Sequence, residues 1–173
     1  LFQFGLINDH KIDAYILNDS LSVLITENLN NTSEYFSDIE EWDKSYFDSL
    51  IPEVFAATSE KLVPQMLNLD IDEIGVNFSK GCYPGQEVVA RLHYLGSAKR
   101  RLFSFKANYE MQVGDALYCP TSKTALARGD RYKGSGTFLS KVKYNSFFYC
   151  LATLDADLTD EEITLNNEHG PKL

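Results

Sequence analysis

The sequence contains no apolar run approaching the ~20 residues that cross a bilayer as a helix. It also lacks a Lys/Arg-flanked apolar stretch at its start. A membrane span and a signal peptide are therefore not expected among these residues, and a cytoplasmic setting is. Cysteine is scarce, and Cys82, Cys119 and Cys150 are odd in number and widely spaced. That fits neither a disulfide framework nor a paired-cysteine zinc site, so reduced thiols and no metal site are expected. Positive charge is short as well: 16 Lys and Arg against 25 Asp and Glu give a formal net charge of −9. Phosphate backbones are gripped by clustered cations, so direct binding to nucleic acid is not expected. Tryptophan occurs once, at Trp42. What is present in quantity is apolar surface, 44% hydrophobic residues in 173, which fills one ordinary domain or two small ones. The first residue is Leu rather than Met, and a processed or cut N-terminus is expected.

Phe2, Phe4 and Leu6 alternate with polar residues before Asn8-Asp9-His10-Lys11, and Ile12, Ala14 and Ile16 alternate after it. This predicts a hairpin. Leu21, Leu24, Ile25 and Leu29 recur at helical spacing behind Asp19 and Ser20, either of which can cap exposed amides, so a short helix is predicted there. A second helical stripe, Trp42, Tyr46, Phe47 and Leu50, follows the acidic segment Asp38-Ile39-Glu40-Glu41 and stops before Pro52. Pro64 breaks any helix through residues 58–68, which are predicted to be extended or looping, and Val76-Asn77-Phe78 reads as a buried strand. From Arg100 onward short alternating segments joined by Gly, Asn and Asp predict a small antiparallel β-barrel or sandwich. The expected class is α+β, with a partial α+β domain at 1–97 and a β module at 98–173.

The densest feature is Lys80-Gly81-Cys82-Tyr83-Pro84-Gly85-Gln86-Glu87, followed by Val88-Val89-Ala90-Arg91. Its two glycines and proline require a turn, and Gly81 and Gly85 permit backbone conformations that a side chain obstructs. A helix from about Gln86 places Gln86 and Glu87 in its first turn, where free amides and the helix dipole favour acidic groups and ligand acceptors. A carboxylate beside an amide suits an aminopyrimidine edge. Cys82 lies near Lys80 in sequence, which would favour thiolate. A structural turn with a buried cysteine and a solvated glutamate would produce the same pattern.

This run resembles the K-G-C-Y-x-G-Q-E signature of the YgfZ family, folate-binding relatives of the glycine-cleavage T-protein that act in iron–sulfur protein maturation. The match extends through Trp42, Ile51-Pro52, Thr58, Pro64-Gln65, Asn68-Leu69 and Phe78. It continues at Ala90-Arg91, Gly96, Lys99-Arg100-Arg101-Leu102 and Gly136-Thr137. The resemblance implies the latter part of a GcvT-like, that is T-protein-like, folate-binding domain followed by a small C-terminal barrel. Family members are longer. The earlier part of the folate region is expected to be cut away, supplied by another chain, or missing from a reduced homologue.

On that resemblance Trp42 is a folate-stacking residue, the alternative being a core anchor beside Tyr46 and Leu50. Gln86, Glu87 and Arg91 become cofactor-binding candidates for tetrahydrofolate, and Cys82 the catalytic or redox candidate, the alternative being a small buried apolar group. Cys119 and Cys150 read as structural. Arg91, Lys99, Arg100, Arg101 and Lys106 run to Tyr109 without an acid. They suit a folate glutamate tail or a partner phosphate, or else a solvated face. His93 is weak evidence for catalysis, and His10 and His169 read as loop residues without a role. Asp155, Asp157, Asp160, Glu161 and Glu162 lack calcium-loop spacing and read as solvated. The implied function is a folate-binding accessory protein supporting assembly or repair of iron–sulfur enzymes, including those that modify tRNA. Its expected partners are folate and those iron–sulfur enzymes or assembly proteins. The alternatives are a folate-dependent aminomethyltransferase of the T-protein type and a non-catalytic docking fragment.

Overall fold

The computed structural model describes residues 2–7, 10–16, 22–26, 39–70, 75–119, 122–123, 127, 134–158, 162–167 and 169–173. Before residue 40, and at Glu41 and Trp42, the description is of the backbone alone. The chain divides into two compact units, Leu1–Ile51 with Val142–Ser146, and Pro52–Lys141 with Phe147–Leu173.

In the first unit, β1 (Phe2–Ile7) and β2 (His10–Ile16) form the expected antiparallel hairpin, with Ile7 opposite His10. His10 thus begins a strand rather than sitting in a loop. The helix predicted at 21–29 is instead β3 (Ser22–Thr26), antiparallel to β2. Val23, Ile25 and Thr26 are β-branched and stiff at χ1, and an open strand edge was available beside them. Helix α1 (Ile39–Asp48) carries Trp42, Tyr46 and Phe47 as predicted. It unwinds through Leu50, whose amide reaches back to the Phe47 carbonyl and whose φ is 53°, a left-handed stop two residues before Pro52.

The second unit opens on turns and a short 3-10 helix, Pro64–Leu67, in the span predicted to loop. Proline occupies its first turn, where its missing N–H is no loss. Val76-Asn77-Phe78 is not a strand. The Asn77 side-chain oxygen accepts from the amides of Ser79 and Lys80, an Asx turn that displaces strand pairing. Helix α2 (Gln86–Leu95) follows, starting where predicted. Then come β4 (Arg100–Ala107), β5 (Ala116–Tyr118), β6 (Gly136–Tyr144), β7 (Phe147–Asp155) and β8 (Thr164–Leu165). The β6–β7 turn is Asn145-Ser146, both at positive φ, the geometry that suits the twist of a two-residue hairpin.

Among the described residues these strands do not close into the expected barrel. They form an open antiparallel sheet in the order β4-β7-β6-β5-β8. Strands of three and two residues at one end are too short to continue the ladder, and the two edges are blunted by other means. At β8, Thr164 bridges to Lys172. At β4, the Asn68 side-chain amide donates to the Leu102 carbonyl at 3.0 Å and accepts from its N–H at 3.4 Å, standing in for a neighbouring strand. The core of this unit is built from Ala107, Met111, Leu117, Phe138, Cys150, Ala152, Leu154 and their neighbours.

Asp155 corrects the expectation of a solvated acidic tail. Its side chain is 0% exposed, accepting from Arg100 Nε at 3.3 Å and Ser122 Oγ at 2.8 Å, while Arg100 also donates to the Gly134 carbonyl. Removing one partner of such a pair leaves an uncompensated charge, so Asp155→Ala is expected to lower stability by about 3 kcal/mol in chemical denaturation. Cys119 and Cys150 are buried as expected, and Cys82 is exposed. Burial pushes the Cys150 thiol up to about 12, against the opposing pull of Lys141. A thiol reagent near neutral pH should therefore titrate Cys82 alone in the native protein and all three cysteines in guanidinium. Rapid native labelling of Cys150, read by peptide mapping, would contradict this core.

Candidate functional site

The turn from Lys80 to Gly85 is assembled from local constraints. Upstream it is launched by the Asn77 Asx turn, and Lys80 Nζ lies 5.0 Å from the Tyr83 ring centroid, a cation–π contact within the turn. Downstream, Gly85 takes φ 84° and the Gln86 amide donates to the Tyr83 carbonyl at 3.2 Å, which rotates the chain into α2. Only one of the two glycines meets the conformational expectation. Gly85 occupies the left-handed region, whereas Gly81 does not. A Cβ added at either would meet no atom within 4 Å, so the outer surface of the turn is open.

Gln86 and Glu87 stand in the first turn of α2 as predicted, Gln86 half-buried and Glu87 exposed. Arg91 is exposed one turn further along, and Cys82 is exposed in the preceding turn. Cys82, Gln86, Glu87 and Arg91 therefore belong to one contiguous turn and helix start in the second unit. Trp42 belongs to α1 in the first unit. Chemically, the turn offers a thiol, a carboxylate acceptor, an amide that donates and accepts, and a guanidinium, all near the positive end of a helix. That donor set fits the aminopyrimidine edge and anionic tail of a folate. Among the described residues no group of three or more His, Cys, Asp or Glu is placed to hold a metal ion.

The basic run separates into different environments. Arg100 serves Asp155, and Arg101 Nη1 serves Asp70 and the Gln65 carbonyl. Lys106 Nζ lies 3.4 Å from the Phe147 ring centroid. These cations are engaged by the fold, while Arg91 and Lys99 are exposed. His93 stacks on Phe78 with centroids 3.8 Å apart, and Tyr94 packs edge-on against both rings, so this histidine is part of an aromatic cluster on the last turn of α2.

Sequence reasoning assigned no role to Gln65, which proves to be the residue behind the site. It is buried, and its Nε2 donates to the Val89 carbonyl of α2 at 2.7 Å. Its own carbonyl accepts from Arg101 of β4 at 3.0 Å. The available signal was a glutamine directly after Pro64, the proline that opens the 3-10 turn.

Comparison with known proteins places this sequence in a family. No family model matches the chain. It is 33% identical over 151 residues to the tRNA-modifying protein YgfZ of Pectobacterium carotovorum, covering 86% of this chain and 43% of that protein. It is 35% identical over 122 residues to the tRNA-modifying protein YgfZ of Photobacterium profundum, covering 69% and 34%. An uncharacterized Haemophilus influenzae protein is 29% identical over 139 residues, covering 78% and 47%. The chain thus spans less than half the length of the curated relatives it matches. An exposed Lys-Gly-Cys-Tyr-Pro-Gly-Gln-Glu turn leading into a helix, with relatives of this identity across most of the chain, shows that it belongs to the YgfZ family.

Proposed function

We propose that this chain takes part in tRNA modification, as the name of its relatives states for them, by acting as a folate-binding accessory to iron–sulfur enzymes. The observation that carries this reading is the open turn from Cys82 to Glu87, which presents a carboxylate and an amide at the start of α2 with no side chain from the glycines in the way. Glu87 accepts two N–H groups of an aminopyrimidine, Gln86 both donates and accepts, and Arg91 meets an anionic tail. Trp42 stands as a separate folate-contact candidate on α1, with the indole face as its chemistry. Cys82 is the residue assigned to chemistry near the bound ligand or to redox exchange with a partner. The tRNA link is indirect, through the enzymes assisted, in keeping with a net charge of −9. The setting is cytoplasmic, and no helix among the described residues is long and apolar enough to cross a membrane.

Calorimetric titration with tetrahydrofolate tests the reading. Saturable binding is expected, and Glu87→Ala is expected to weaken it about tenfold through loss of a charged hydrogen bond. A titration without saturable heat, in protein whose cooperative unfolding is intact, would remove folate from the proposal.

A further inference from the structure

We infer that Gln65 is a positioning residue for the Cys82–Glu87 turn, acting through the first half of α2 rather than by touching ligand. The inference rests on the folate reading of that turn for its functional meaning, and on the hydrogen bonds of Gln65 for its physics. Gln65 is 1% exposed, so it meets no ligand from solvent. Its Nε2 reaches Val89, the fourth residue of α2 and the one buried on that helix, at 2.7 Å. The same residue's carbonyl is held by Arg101 of β4, and Asn68 of the same segment clamps Leu102 on both its N–H and C=O. The four residues from Gln65 to Asn68 therefore fasten the start of α2 to the edge of the sheet.

The other end of the Gln65 amide shows why a polar side chain stands there. Its Oε1 is buried and has no hydrogen-bond partner among the described residues. An unpartnered buried carbonyl oxygen is costly, and a leucine of similar volume would avoid it. What glutamine supplies at this position is the Nε2 bond to Val89. The turn ahead of α2 has open space around both Gly81 and Gly85, so little in front of it resists displacement. Its register is fixed from behind, by Val89 through Gln65.

Two variants of the full chain test this, Gln65→Leu and Gln65→Glu, each read by amide hydrogen exchange, by the rate of Cys82 alkylation and by tetrahydrofolate titration. In Gln65→Leu, exchange in the first half of α2 and alkylation of Cys82 should each rise about tenfold, with β6 and β7 amides unchanged, and tetrahydrofolate affinity should fall about tenfold. Gln65→Glu adds a pH signature. Burial raises a carboxyl's pKa, against the opposing pull of Arg101, which sits on the residue-65 carbonyl and is itself paired with Asp70, so the protonated acid donates to Val89 at low pH and the carboxylate cannot once pH climbs through that value. Protection of α2 should resemble wild type at about pH 5 and be lost by about pH 8, a profile wild type lacks. Exchange rising equally in α2, β6 and β7 would mark a merely structural role and overturn the inference, as would unchanged α2 exchange or unchanged folate affinity. A wild-type chain that never binds tetrahydrofolate removes the folate reading instead, and leaves the exchange and alkylation results to decide the role of Gln65.

Discussion

A carboxylate without contact to water governs the second unit. Asp155 ends β7, and its two oxygens are met by the Arg100 guanidinium and the Ser122 hydroxyl. Burying an ion of that kind is unfavourable by several kcal/mol unless its partners are in place, so the positions of β4, β7 and the Ser122 segment are fixed together. Arg100 extends the constraint to the Gly134 carbonyl, and the Asp155 amide donates to Ser135, so the chain entering β6 is tied to the same point. Asp155 sits opposite Arg100 in the β4–β7 register, which makes the pair a property of strand alignment: a slip by one residue would leave both charges misplaced.

That pair also explains why the basic run of an acidic protein misleads when read as a ligand patch. Arg100 and Arg101 are adjacent on a strand, and adjacent strand residues face opposite ways. One meets Asp155 and the other meets Asp70 and the Gln65 carbonyl. Their partners lie 55 and 31 residues away in sequence, beyond any spacing rule. The same distance hides Asp155, whose acidic neighbours in sequence suggest a solvated tail while its neighbours in space are a guanidinium and a hydroxyl.

What was legible in the sequence was local. The β1–β2 hairpin, α1 with its stop before Pro52, the start of α2 at Gln86 and the Asn145-Ser146 turn each follow from periodicity or from a residue with a restricted backbone. The failures have non-local causes. Residues 22–26 carry an apolar run compatible with either period, and pairing with β2 decided it. Val76-Asn77-Phe78 has strand-like residues, but one asparagine oxygen captured two amides. Barrel closure depends on whether terminal strands find each other, and here Asn68 and Lys172 occupy the edges first. The candidate site divides the same way. Cys82, Gln86 and Glu87 were readable because a turn and a helix start are local objects, whereas Gln65 acts on a carbonyl 24 residues away.

This division gives the site its mechanical character. The turn's conformation is set by its own residues, by Gly85 at φ 84° and by the cation–π contact of Lys80 with Tyr83. Its placement is set by others, since α2 offers one buried side chain, Val89, to the rest of the unit, and exposes Val88, Tyr94 and Leu95. A helix with so little apolar anchorage holds its position weakly by burial alone, at roughly 1.5–3 kcal/mol for one fully buried valine. A directed hydrogen bond to the helix backbone adds what burial cannot, a fixed axial register, because it is made only when one particular carbonyl is in reach. Openness in front and a directional tether behind are therefore complementary: the first leaves room for a ligand at the helix start, and the second keeps Gln86 and Glu87 where that ligand would find them.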